Sequence, residues 1–294
     1  MRILAILKSK KFWCCLLALP FLLVGCASAY ISMQPRFDHD EFAMRRAVAT
    51  KAEELYQLSY LEGGAPTGQR VIFVHGTPGD SSDWYDMLKN APDGFQFIAV
   101  DRPGFGQTRP DRAQTSIMAQ AQALGPLITM PERGKPILVG HSLGGPIVAA
   151  AATLYGDKVG GIIIAAGALD PDLEEVMWIQ RLGAVPPFSW LLQRELRNAN
   201  LELIGLEDEL RALEPRLKNI HVPVTIVHGT ADELVPYANT DYMLREFTDT
   251  VPKLVTLEGT NHFLPWNARG ALLDAITDMA SRLPATRLVP VQSR

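Results

Sequence analysis

The stretch Ile137-Leu138-Val139-Gly140-His141-Ser142-Leu143-Gly144-Gly145 decides the fold of this chain. Its first three residues form a short apolar run without a polar member, as a strand buried on both faces requires. The segment Leu143–Tyr155 that follows the turn has the composition of a helix. Strand, G-x-S-x-G and helix in that order describe a sharp turn that lifts a serine oxygen clear of the sheet, above the N-terminus of a helix that favours developing negative charge. Glycines flank the turn because its backbone leaves no room for side chains. Without the strand and helix the motif is weak; with them it points to Ser142 as a nucleophile.

Outward from this turn, short apolar runs rich in β-branched residues recur at Val71–Val74, Phe95–Val100, Ile162–Ala165, Val224–Val227 and Leu254–Leu257. Longer amphipathic segments separate them, with helices expected at Ser81–Leu88, Ser116–Ile128, Asn239–Phe247 and Ala268–Arg282. Alternation of this kind predicts an α/β fold: a mostly parallel central sheet with helices on both faces. A helix is also expected over Asp38–Gln57, which is rich in Ala, Glu and Arg. Residues 38–294 read as one domain, with no internal repeat. Open sheets of this type carry their sites at the carboxyl ends of the strands.

A serine hydroxyl is a poor nucleophile until an adjacent base, itself oriented by a carboxylate, takes its proton. Val224–Val227 leads into His228-Gly229-Thr230-Ala231-Asp232-Glu233, and Leu254–Leu257 into Glu258-Gly259-Thr260-Asn261-His262-Phe263. Asp232 and His262 therefore follow successive strands, in the chain order Ser, Asp, His. Glu233, Asp170 and Asp172 are the rivals for the acid. Of the six histidines, His39 lies by the tether, and His221, preceding Val222-Pro223, reads as structural. His141 reads as a packing residue, and His75 and His228 as rings bonded to backbone at strand ends. Only His262 stands where the base belongs.

Four motifs taken together resemble the α/β-hydrolase superfamily, from about Gln69 to Leu283: His75-Gly76-Thr77-Pro78-Gly79, Asp101-Arg102-Pro103-Gly104-Phe105-Gly106, the turn at Ser142, and the pair Asp232/His262. The resemblance implies an α/β-hydrolase fold with Ser142 as nucleophile, Asp232 as acid and His262 as base. The oxyanion hole is expected from the N–H groups of Leu143 and Thr77; Pro78 has none to give. Asp101–Gly106 reads as a structural turn. The long stretch between Asp170 and Val222, carrying Met177, Trp178, Phe188, Trp190 and Leu191, is where such proteins place a helical cap, here about 171–221. No metal or organic cofactor is implied. The expected activity is cleavage of a small, apolar carboxylic ester. Lactonase, thioesterase and carbon–carbon hydrolase chemistry stay open, as does a non-catalytic binding role. The aspartate nucleophile of dehalogenases and epoxide hydrolases is excluded by Ser142, and aminopeptidases resembling proline iminopeptidase usually show a second glycine where Thr77 stands.

With 47% hydrophobic and 20% charged residues the 294-residue chain has the composition of an ordinary globular protein. Its net charge of −4 hides an asymmetry, since residues 1–25 hold Arg2, Lys8, Lys10 and Lys11 and no acid, leaving 24 basic against 32 acidic residues beyond. That balance argues against nucleic acid as a partner. The apolar run Phe12–Gly25 is shorter than the roughly 20 residues that span a bilayer and has the proportions of a signal peptide. Leu23-Val24-Gly25-Cys26 resembles a bacterial lipobox, which implies cleavage after residue 25 and acyl chains on Cys26, the tether running over 26–37. All three cysteines, Cys14, Cys15 and Cys26, fall in or at the end of this leader. The expected location is the cell envelope, with Ala27 favouring the outer membrane in a Gram-negative host. No residue pattern specifies an oligomer.

Overall fold

The computed structural model describes the backbone of residues 44–49 and, in full, residues 56–130 and 133–283; the expected leader, Cys26 and the tether lie outside them. Among the described residues, eight strands form one sheet in the order β1-β2-β4-β3-β5-β6-β7-β8. They are β1 (Met44–Ala49), β2 (Tyr56–Gly64), β3 (Gln69–Val74), β4 (Phe95–Val100), β5 (Ile137–His141), β6 (Gly161–Ala165), β7 (Val224–Gly229) and β8 (Lys253–Leu257). β1 and β2 pair antiparallel, as do β2 and β4, and every other pairing is parallel.

The apolar runs become strands because both faces of the sheet are covered. Ile72, Val74, Leu138, Ile162, Ile164 and Ile226 face one core layer, while Val71, Phe73, Ile137, Val139, Ile163 and Val227 face the other. The first layer is closed by α2 (Ile117–Ala123), α4 (Gly144–Tyr155) and α7 (Arg194–Leu217), and the second by α1 (Tyr85–Lys89) and α10 (Arg269–Ser281). The expected helix over Asp38–Gln57 is corrected: Met44–Ala49 is a strand, and Tyr56 and Gln57 already belong to β2. The register Met44↔Leu61 to Ala49↔Tyr56 supplies the hydrogen bonds that local composition could not reveal.

Short helices α3 (Gly125–Ile128), α5 (Trp178–Gly183) and α6 (Phe188–Leu191) join α8 (Asn239–Glu246) and α9 (Leu264–Asn267) at the periphery of the sheet or above it. The connection from β6 to β7 holds α5, α6 and the 24-residue α7. One face of α7 is buried, at Asn198, Ala199, Glu202, Leu206, Leu210, Leu213 and Leu217, the spacing of a single helical stripe.

Candidate active site

Ser142 follows directly on β5 in the left-handed region, φ 53°. Such a conformation strains any side-chain-bearing residue and persists only where the surroundings fix it. Here Ser142 N–H donates to Ala165 O at 3.0 Å and its carbonyl accepts from Gly145 N–H at 2.8 Å. The flanking glycines are required sterically: a Cβ at Gly140 would lie 2.1 Å from Gly144 O, and one at Gly144 2.3 Å from Val74 O. The loop after β3 passes so close that a Cβ at Gly76 would lie 2.9 Å from that of Ser142. Thr77 and Leu143 therefore stand on either side of Ser142. Neither of their backbone N–H groups has a partner among the described residues.

Asp232, after β7, and His262, after β8, are joined by a 2.8 Å bond between Oδ2 and Nδ1, and both are buried. Asp232 Oδ1 accepts from the N–H groups of Leu234 at 3.0 Å and Val235 at 2.8 Å. Burial by itself raises the pKa of this carboxyl, but hydrogen bonds from His228, His262 and Val235 overcome it and hold the group well below the usual carboxylate range. His262 is fixed at its backbone as well, because its carbonyl accepts from His141 Nε2 at 2.9 Å and the two rings lie 4.8 Å apart. Desolvation, reinforced by the nearby His262, pushes His141 down to a pKa of about 3, so it stays neutral. The expected packing residue is thus a hydrogen-bond donor that joins the segment preceding Ser142 to the His262 loop.

The rivals are placed elsewhere. Asp170 receives the N–H of Asp172 as a local cap, and Asp172 pairs with Arg211 at the surface. His228 donates to Val235 O at 3.0 Å, as expected of a ring bonded to backbone, and its Nε2 also lies 3.4 Å from Asp232 Oδ2. His75 donates to Gly76 O and accepts from the N–H of Arg102, its pKa held well below the ordinary value by burial and by the Arg102 charge. His221 is exposed, 3.5 Å from Asp249.

One group of site residues escaped the sequence reading. Glu202, on the buried stripe of α7, accepts from Arg102 Nη1 at 2.7 Å and Nη2 at 3.1 Å, from Gln120 Nε2 at 2.8 Å, and from Thr77 Oγ1 at 2.6 Å. Arg102 also donates to Gly76 O at 2.8 Å and lies over the Phe105 ring. A single carboxylate therefore ties the helix between β6 and β7 to the loop after β3, which passes Ser142, and to the loop after β4. A charge at helical spacing from Leu206, Leu210 and Leu213 was the available signal. Asp101, by contrast, acts as a loop clasp that accepts from Ser59 Oγ, Ser81 N–H and Gln107 N–H, as a structural turn should. Among the described residues no group of three or more His, Cys, Asp or Glu is arranged to hold a metal ion.

A strand-end serine in a forced left-handed turn and a buried Asp–His pair at other strand ends are features of a hydrolase, and residues 71–275 match the model of the alpha/beta hydrolase family. The chain belongs to that family. As an α/β hydrolase it is similar to proline iminopeptidase of Neisseria meningitidis, 26% identical over 140 residues, 46% of this chain and 44% of that protein. The match thus spans less than half the length of that relative. The fold resembles those of an esterase of Thermogutta terrifontis (TM-score 0.65, 20% identity, 82% of this chain and 98% of that one). It also resembles a monoacylglycerol lipase of Paleococcus ferrophilus (TM-score 0.60, 21% identity, 76% of this chain and 99% of that one).

Proposed function

We propose that this α/β hydrolase is a serine esterase acting on apolar carboxylic esters through an acyl-enzyme on Ser142. The observation that carries the reading is the buried 2.8 Å bond between His262 Nδ1 and Asp232 Oδ2. Because Asp232 is ionised, it takes the Nδ1–H and leaves Nε2 as the free base. His262 Nε2 removes the hydroxyl proton as Ser142 Oγ attacks the ester carbonyl, and Asp232 stabilises the resulting imidazolium. The N–H groups of Thr77 and Leu143 receive the oxyanion. Collapse returns the proton from His262 to the departing alcohol, and water, activated by the same histidine, releases the acid.

Glu202 supports an ester over a substrate with a free amine. An aminopeptidase needs an unpaired carboxylate for the amine, whereas Glu202 is neutralised by Arg102 and saturated by Gln120 and Thr77. The leader motif supports lipid attachment at Cys26 (diacylglycerol and an amide-linked chain such as palmitate) and a place in the cell envelope; about 0.8 kcal/mol per buried CH₂ makes several chains a firm anchor. The apolar residues at 177–191 support a cap that selects apolar esters. The test is hydrolysis of p-nitrophenyl esters from acetate to palmitate by the full chain purified in detergent, beside Ser142→Ala. Turnover lost in the variant is expected. Inactivity of folded protein on every ester would overturn the esterase reading in favour of thioester, lactone, peptide or carbon–carbon substrates, or of a binding role.

A further inference from the structure

From Val176 to Arg194 the chain reads Val-Met-Trp-Ile-Gln-Arg-Leu-Gly-Ala-Val-Pro-Pro-Phe-Ser-Trp-Leu-Leu-Gln-Arg, with two arginines and no acid. In a protein whose residues beyond 25 include 32 acidic against 24 basic side chains, such a stretch stands out. It forms α5 and α6, which pack on each other, and α5 is fastened to α7 by Asn200 Nδ2 donating to Gln180 O at 2.8 Å. The inner side of this platform carries the buried Ser189 and the half-buried Leu182. Its outer side exposes Met177, Trp178, Ile179, Val185, Trp190 and Leu191, the two indoles at 74% and 75%. Isolated apolar side chains on a surface need no explanation, but six large ones on and beside two packed helices mark a surface with a partner.

We propose that the α5–α6 face docks on the headgroup region of an anionic lipid bilayer. The inference rests on the envelope location proposed above. Tryptophan suits that region, with its ring in apolar surroundings and its N–H in a wet layer. Arg181, exposed among these residues, matches anionic headgroups, whereas Arg194 at the start of α7 is already paired with Glu195 at 2.5 Å. The leader adds a geometric argument. The chain from Cys26 to Met44 can extend to at most about 60 Å, so a lipid on Cys26 holds the start of β1 within that distance of the bilayer. Docked in this way, the cap brings the site close to the lipid. Glu202, bonded to Thr77, lies eight residues along α7 from Arg194, about 12 Å at the helical rise.

The test uses the full chain, purified in detergent and reconstituted into vesicles of phosphatidylglycerol and phosphatidylcholine brominated on its acyl chains. Flotation reads anchoring, and quenching of tryptophan emission reads docking, with Trp178→Phe/Trp190→Phe as the reference. Both substitutions are at exposed positions, and circular dichroism checks that the variant is folded. Docking predicts that the wild-type chain loses emission on brominated relative to unbrominated vesicles, and that this loss shrinks in the variant to what Trp84 and Trp266 contribute. A chain that floats yet shows equal quenching with and without the two indoles overturns the docking surface and leaves the anchor standing. A chain that does not float overturns both. Sedimentation of the detergent-free protein as a dimer, with no quenching difference, would give the face to a second copy.

Discussion

Replacing Glu202 with Leu removes the acceptor of four hydrogen bonds and leaves the Arg102 guanidinium, 1% exposed, without its counter-charge. Arg102 keeps only neutral acceptors, Gly76 O and Gln120 Oε1, and the face of Phe105. Breaking a buried ion pair from one side costs about 3–5 kcal/mol, because the remaining charge stays desolvated. Removing both charges is far cheaper, so Glu202→Leu/Arg102→Met should lie closer to wild type than Glu202→Leu alone. The change also frees the Thr77 hydroxyl, so ester turnover should fall in the single variant beyond what the loss of folded protein explains. Urea unfolding of all four members of the cycle gives the stabilities, and initial rates on a p-nitrophenyl ester at a temperature where each is folded give the activities. A single-variant cost under about 1 kcal/mol, or strictly additive effects in the cycle, would refute the reasoning.

Four further outcomes are expected. Asp232→Asn keeps an acceptor for Val235 N–H but loses the charge that sets the His262 tautomer, and kcat should fall by about 10³–10⁴ with little change in KM, read by steady-state kinetics. His141 is buried with its pKa lowered to about 3, so the folded state binds fewer protons than the unfolded state between about pH 6.5 and 3. Its stabilising contribution is complete above that window and is lost as pH falls through it, at up to about 1.4 kcal/mol per pH unit, with His75 acting in the same direction. His141→Gln should flatten the acid limb of a denaturation series by one proton. Gly144→Ala should cost about 3 kcal/mol, since its Cβ would sit 2.3 Å from Val74 O. Gly270→Ala, in α10 with open space around it, should stabilise by about 0.5–1 kcal/mol in the same unfolding assay.

The central strands were legible in sequence because burial on both faces writes itself as an unbroken apolar run. Phe95–Val100 matches β4 residue for residue, and β3 and β5 through β8 differ from expectation by at most two residues at an end. The turn at Ser142 was legible for a related reason: Gly140 and Gly144 face backbone oxygens at distances no Cβ tolerates. The antiparallel edge was not legible. Met44–Ala49 owes its conformation to pairing with β2, and its residues, Met-Arg-Arg-Ala-Val-Ala, carry no strand signal of their own. Within the site, residues that follow strand ends could be found by position, as Asp232 and His262 were. Glu202 could not, because what makes it part of the site is Arg102, which is 100 residues away in sequence. His141 shows the same limit at short range: its neighbour Ser142 was evident, but its bond to His262 O spans 121 residues.

The most direct test of the account is reaction of the full-length protein with a fluorophosphonate and location of the adduct by peptide mass spectrometry. An adduct on Ser142 alone, formed rapidly in the wild-type chain and almost not at all in His262→Ala, is the predicted result. Folded protein that takes no phosphonate, or takes it on another residue while His262→Ala reacts as fast as wild type, would contradict the assignment of Ser142, Asp232 and His262 to one catalytic unit.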